Sequence, residues 1–139
     1  MKRRKAREYV LQFLFQSEFG NNPPQAEDVK NNLKQFWADK EKDPEVIKFA
    51  SEIIEGTIPL MVEIDAVINK AAEHWALGRM AAVDRNILRS AVYELLYRKD
   101  IPSAVTINEA IEIAKKYSTT ESAAFINGIL DKIAKKVKK

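Results

Sequence analysis

Apolar residues along this chain recur every three to four positions and never alternate at period two over a useful length, so the pattern predicts helices throughout. The first stretch runs from about Arg4 to Phe19 and should stop at Gly20-Asn21-Asn22-Pro23-Pro24. A second, from about Ala26 to Ala38, carries Val29, Leu33, Phe36 and Trp37 on one face. Asp43-Pro44-Glu45 then supplies an N-cap, a proline at the first helical position and an acidic first turn. The phase that starts there persists through Val46, Ala50, Ile53, Thr57, Met61, Ile64, Ile68, Ala71 and Trp75. Pro59 removes one backbone hydrogen bond, so a single helix kinked near Glu55 and Gly56 is expected, with a break at Gly78.

Further on, Asp84 is placed to cap a helix carrying Ile87, Leu88, Ala91 and Leu95, which ends at Asp100-Ile101-Pro102. Thr106-Ile107-Asn108-Glu109 matches a capping box opening a helix with Ile107, Ala110, Ile111 and Ala114 on one face. Ser118 to Ser122 reads as a loop, and the last helix carries Ile126, Ile129, Leu130, Ile133 and Val137. Gly128 inside that helix costs about 1 kcal/mol relative to Ala. Such a residue is usually tolerated where another backbone comes close, a contact that Asn127 and Asn108 can bridge. The expectation is an all-α protein of six or seven helices.

A chain of 139 residues, 46% hydrophobic, can bury a real core as one domain or as two very small subdomains. No apolar run approaches the roughly 20 residues of a membrane span. The basic N-terminus is followed by no apolar segment or small-residue cleavage site, so a soluble intracellular protein is expected. The absence of cysteine excludes disulfides and thiolate metal sites. Catalysis lacks parts: His74 is the single histidine, and there is no Gly-rich phosphate loop. Glu109 and Glu112 share a helix face, as many solvated carboxylates do. No enzyme, metal or cofactor is expected.

Charge placement says more than the net charge of +3. Five of the first seven residues are basic (Lys2, Arg3, Arg4, Lys5, Arg7), and five lysines lie among the last eight. Cations at a helix C-terminus favour its dipole, so the terminal lysines suit stability and solubility. Cations at a helix N-terminus oppose it, which points to another role for the first cluster, such as meeting a polyanion. At about 100° per residue, Ala6, Val10, Phe13 and Ser17 form the core face of the first helix, flanked by Tyr9 and Leu14. Phe15 falls opposite, beside Arg4, Glu8 and Leu11, with Arg7 nearby. An exposed ring among arginines stacks on unpaired bases, although Phe15 equally suits packing on a neighbouring helix.

Three blocks resemble the NusB antitermination family, in order and across essentially the whole chain. They are Arg3 to Glu8 running to Leu14-Phe15-Gln16; Val83-Asp84-Arg85-Asn86-Ile87-Leu88-Arg89 with Tyr93-Glu94-Leu95; and Ile107 to Tyr117 followed by Phe125 to Asp131. The resemblance implies two small packed helical bundles, an N-terminal one over about 1–77 and a C-terminal one over about 78–139. It also implies pairing with the ribosomal protein NusE and binding of boxA single-stranded leader RNA. Through the RNA polymerase antitermination complex, such a protein supports processive transcription of ribosomal RNA operons in the bacterial cytoplasm. The RNA-binding residues it implies are Lys2, Arg3, Arg4, Arg7, Gln12, Phe15, Gln16 and Asp84. Family members usually carry Tyr where this chain has Phe15, which keeps stacking but loses a phenol hydrogen bond. Asp84 fits either an orienting role toward bases or a helix cap. Ser118 stands where many members have Gly. The NusE-facing surface is expected mainly from Met80 onward.

Related helical domains also form the RNA-binding part of ribosomal RNA cytosine methyltransferases. A chain ending at Lys139 without a Gly-rich cofactor domain is expected not to be that enzyme. A helical protein–protein adaptor with solubilising basic ends is the other alternative, distinguished by its lack of salt-sensitive RNA retention. A helix-turn-helix DNA reader fits less well, since no short Gly-containing turn precedes a basic recognition face.

Overall fold

The computed structural model describes residues 2–19, 26–73 and 77–139. It is all-α, with seven α-helices and two single 3-10 turns among these residues. The expected stop at Gly20 to Pro24 and the positions of His74 and Trp75 lie outside the described residues. The chain divides into two compact units, Met1–Leu60 and Met61–Lys139.

The first unit holds α1 (Lys2–Glu18), α2 (Ala26–Trp37) and α3 (Pro44–Thr57), closed by a 3-10 turn at Ile58–Leu60. Asp43 caps α3 as expected, its carboxylate accepting from the Glu45 amide at 3.0 Å. The α2 stripe Val29, Leu33, Phe36 and Trp37 is buried, as are Val46, Ala50, Ile53 and Thr57 of α3. The interior is ring-rich: Phe36 meets Phe13 at 5.3 Å and Trp37 at 5.0 Å, both edge to face. Tyr9 meets Trp37 at 5.1 Å in the same way. Trp37 satisfies its indole N–H by donating to Ser51 Oγ at 3.1 Å, so the ring is buried without a lost hydrogen bond.

Pro59 does more than kink a helix. The single kinked helix expected is two α-helices with a 3-10 turn between them, because the missing N–H ends the α ladder. The second unit therefore starts at α4 (Met61–Ala72), earlier than the boundary near residue 77. Asp65 of α4 takes a two-pronged ion pair from Arg89 of α5 (Ala82–Tyr97), at 2.8 and 2.9 Å. This bond and the burial of Ile64 and Ile68 tie α4 into that unit.

A 3-10 turn at Leu77–Arg79 precedes α5, and α6 (Ser103–Tyr117) and α7 (Thr120–Ala134) complete the unit. Ile87, Leu88, Ala91 and Leu95 are buried as expected, with Ile126, Ile129, Leu130 and Ile133 of α7. Val137 falls beyond the end of α7. Several local expectations fail. The α5 N-cap is Ala81, which puts Asp84 inside the first turn. The α6 N-cap is Pro102, so Thr106 is no cap: it is buried and donates to Glu94 Oε1 at 2.8 Å. With the helix starting earlier, the inward face is Thr106, Ala110, Ile113 and Ala114, while Ile107 and Ile111 are half-exposed. Around Gly128 a Cβ would meet nothing within 4 Å, and Asn108 and Asn127 are exposed, so no close backbone approach explains that glycine. The Ser118 loop is shorter than expected, because the Thr119 side chain caps α7 by accepting from the Ser122 amide at 2.9 Å.

Candidate nucleic-acid interface

The basic start of α1 faces an acidic link between α2 and α3. Lys2 Nζ lies 3.2 Å from Asp43 and 3.1 Å from Glu45, and Lys5 Nζ lies 2.8 Å from Glu41. Glu41, with only 9% of its side chain exposed, also accepts from the Tyr9 hydroxyl at 3.0 Å and the Asp43 amide at 3.1 Å. The Lys5 ammonium and then the Asp43 amide hold its carboxyl down at about 2. The same contacts raise Lys5, and the carboxylates of Glu45 and Asp43 raise Lys2. The acidic link thus offsets the repulsion between these cations and the helix dipole. Opposition to the dipole alone therefore does not demand an external anion for Lys2 and Lys5.

The arginines divide differently. Arg7 is buried, its guanidinium 5.1 Å from the Phe49 ring centroid, which makes it a packing residue of α1 against α3. Arg3 lies over the same ring at 4.6 Å but is exposed, so its N–H donors stay open to solvent. Arg4 is half-buried. Leu11, expected beside Phe15 on an outer face, is also buried, so α1 packs on more than its Ala6–Val10–Phe13 stripe. Ser17 of that stripe and its flank Tyr9 are half-buried.

Phe15 is half-buried and meets Phe19 at 4.9 Å with tilted rings. Phe19, 65% exposed, is the more open ring and was missed in the sequence, although its i+4 spacing from Phe15 places it on the same stripe. Gln12 and Gln16 are exposed one turn apart along α1. Along α1 the exposed and half-buried groups thus run from Arg3 and Arg4 through Gln12 to Phe15 and Gln16, with Phe19 just past the helix end.

Asp84 belongs to the second unit. Its Oδ2 accepts from Ser122 Oγ at 2.8 Å, while its buried Oδ1 has no partner among the described residues. It lines a cleft of about 300 Å³ with Arg79, Ser122 and Phe125. A buried carboxylate oxygen left open beside a cleft is an acceptor for an incoming N–H. Ser122, 38 positions away, carries no local signal that would have paired it with Asp84.

Residues 4–135 match the model of the NusB family. The transcription antitermination protein NusB of Thermodesulfovibrio yellowstonii is 54% identical, over 97% of this chain and 93% of its own length. That of Desulfitobacterium hafniense is 53% identical over 100% and 92%. Among solved structures, T. maritima NusB superposes with a TM-score of 0.85 at 44% identity, over 99% of this chain and 93% of that one. A crystal structure of the antitermination factors NusB and NusE in complex with dsRNA includes a chain that matches with a TM-score of 0.83 at 26% identity, covering 97% of each.

Proposed function

This chain belongs to the NusB family, and from that membership we propose that it is a transcription antitermination factor that binds boxA-type single-stranded leader RNA together with ribosomal protein NusE. The pair joins the RNA polymerase antitermination complex and supports processive transcription of ribosomal RNA operons. Its work is binding in the cytoplasm, not catalysis. The observation that carries the reading is the whole-length likeness to a factor crystallised with NusE and RNA.

Within this reading, Arg3 and Arg4 neutralise phosphates and Phe15 stacks on a base, with Gln12 and Gln16 alongside. Lys2 joins them by exchanging its carboxylate partners for phosphate. Arg7 contributes by holding α1 on Phe49, not by touching RNA. Asp84 accepts hydrogen bonds from the ligand in its own cleft.

The test is RNA retention at fixed salt with and without purified NusE. A coupling of about 1–3 kcal/mol is expected, and RNA must strengthen the protein pair by the same factor. Reversing Arg3 and Arg4 to Glu should lower the salt slope by about one unit per lost phosphate contact. No effect of NusE on retention would remove the antitermination assignment. No salt-sensitive retention at all would leave a protein–protein adaptor.

A further inference from the structure

Cations neutralise phosphate but do not distinguish one base from another. Base identity is read by groups that offer a donor and an acceptor side by side, and unpaired RNA exposes its edges to them. From Lys2 to Glu8, α1 offers cations, one alanine and one carboxylate, but no carboxamide. Sequence reading by the first unit therefore needs other residues.

They meet in one place. Gln16 of α1 and Asn32 and Gln35 of α2 line a single cleft of about 340 Å³, together with the buried rings of Phe13 and Phe36. All three carboxamides are exposed, and none has a side-chain partner among the described residues. Lys40 lines the same cleft, its ammonium 4.6 Å from the Phe36 ring centroid. The volume falls within the range of small-ligand pockets. Phe13 and Phe36 are packed by their aromatic neighbours, and none of the three carboxamides hydrogen-bonds to that core among the described residues.

We propose that this cleft between α1 and α2 is a base-reading subsite, which takes one unpaired RNA base, hydrogen-bonds its edge through Gln16, Asn32 and Gln35, and meets the adjoining phosphate with Lys40. The proposal rests on the RNA-binding reading above and locates the sequence preference that the cationic end of α1 lacks. Base selectivity and salt dependence then belong to different residues of the same helix pair. Arg3 and Arg4 set the salt slope, and the carboxamides set the choice of base.

The experiment titrates a boxA-type single-stranded RNA and its single-base substitutions against the complex of this chain with NusE. Three proteins are compared: wild type, the double variant Asn32→Ala/Gln35→Ala, and the double variant Arg3→Glu/Arg4→Glu. Wild type should discriminate at one position of the RNA by about tenfold, the usual effect of one well-made edge contact. Asn32→Ala/Gln35→Ala should reduce that discrimination to about twofold or less, with the other positions, the salt slope and the thermal melt unchanged. The arginine variant should weaken every RNA alike. A wild-type discrimination profile in Asn32→Ala/Gln35→Ala, or a uniform loss across all RNAs, overturns the subsite and leaves the antitermination reading standing. A wild-type complex that retains no RNA overturns both.

Discussion

In the first unit a cluster of aromatic rings packs beside the aliphatic core, with Lys2, Arg3 and Lys5 at the surface and Arg7 buried, whereas in the second aliphatic side chains fill the interior and several polar groups go inside with them. Tyr9, Phe13, Phe36 and Trp37 pack edge to face, while the exposed ammonium groups of Lys2 and Lys5 reach Asp43, half-exposed, and Glu41, whose side chain is largely covered. The second unit buries Ile64, Ile68, Leu88, Leu95, Ile126 and Leu130, and among them Glu94, Asn86 and Thr106. Exposed ion pairs such as that of Lys2 with Glu45 are weak and exchange readily, so the first unit can redirect this cation to phosphate at small cost. Buried polar pairs are rigid, because breaking one strands a partner away from water. A surface meant for a polyanion and a core meant to stay fixed call for these two arrangements respectively.

The largest effect expected is on the rings. Phe13→Ala should cost about 3–5 kcal/mol in a denaturant melt, as loss of a large core side chain does. Phe15→Ala, half-exposed on the same helix, should leave the melt close to wild type and cost about 1–3 kcal/mol of RNA affinity. If both variants melt equally early, Phe15 is core and the outer face of α1 carries no stacking ring.

The buried polar pair of the second unit comes next. Thr106→Val keeps the shape of the side chain but removes the donor to Glu94. A loss of about 1–3 kcal/mol is expected, that of a buried acceptor deprived of its partner. An unchanged midpoint would mean that the bond contributes nothing, and the contrast between the units would reduce to ring against aliphatic packing.

The misread positions follow the same division. Periodicity located α2 and its stripe because Val29, Leu33, Phe36 and Trp37 bury against whatever lies on one side of a helix. It located Asp43 because capping is local chemistry. It misplaced the start of α6 because Thr106 and Glu109 make a plausible cap within four residues, whereas the partner of Thr106 is Glu94, 12 positions back on another helix. Arg7 stands in the basic cluster that the sequence offers to RNA, and nothing nearby announces that it is buried over Phe49. The dipole argument about the basic cluster failed on the same ground, since Glu41 and Asp43 of the link and Glu45 of α3 lie far along the chain. These three errors concern polar side chains whose partners are remote in sequence.

A smaller effect of opposite sign is expected at Gly128. With open space around a Cβ and a position inside α7, Gly128→Ala should stabilise the protein by about 1 kcal/mol through helix propensity alone. A destabilised variant would restore a close approach at this site. Loss of NusE binding with a raised melt would instead mark the exposed α7 face as a protein contact.

The smallest effect belongs to the surface charges of the first unit, and it is legible in pH. Glu41 is held at about 2 in the folded protein against an ordinary 4.5, chiefly by Lys5. A carboxyl depressed on folding stabilises the protein above its unfolded value, and that contribution is lost as pH falls from about 4.5 toward about 2. Asp43, also lowered, acts in the same direction. Lys2 and Lys5 are raised from 10.5, so their contribution is complete below that value and is lost as pH rises through their higher folded values. Between the two windows the link contributes a plateau. Thermal melts of wild type and Glu41→Gln across the acid window should show a shallower decline in the variant, and added salt should shrink the difference, because the lysines are exposed. Parallel acid declines would show that Lys5 does not hold Glu41 in solution, and the offset of the α1 cations by the acidic link would lose its basis.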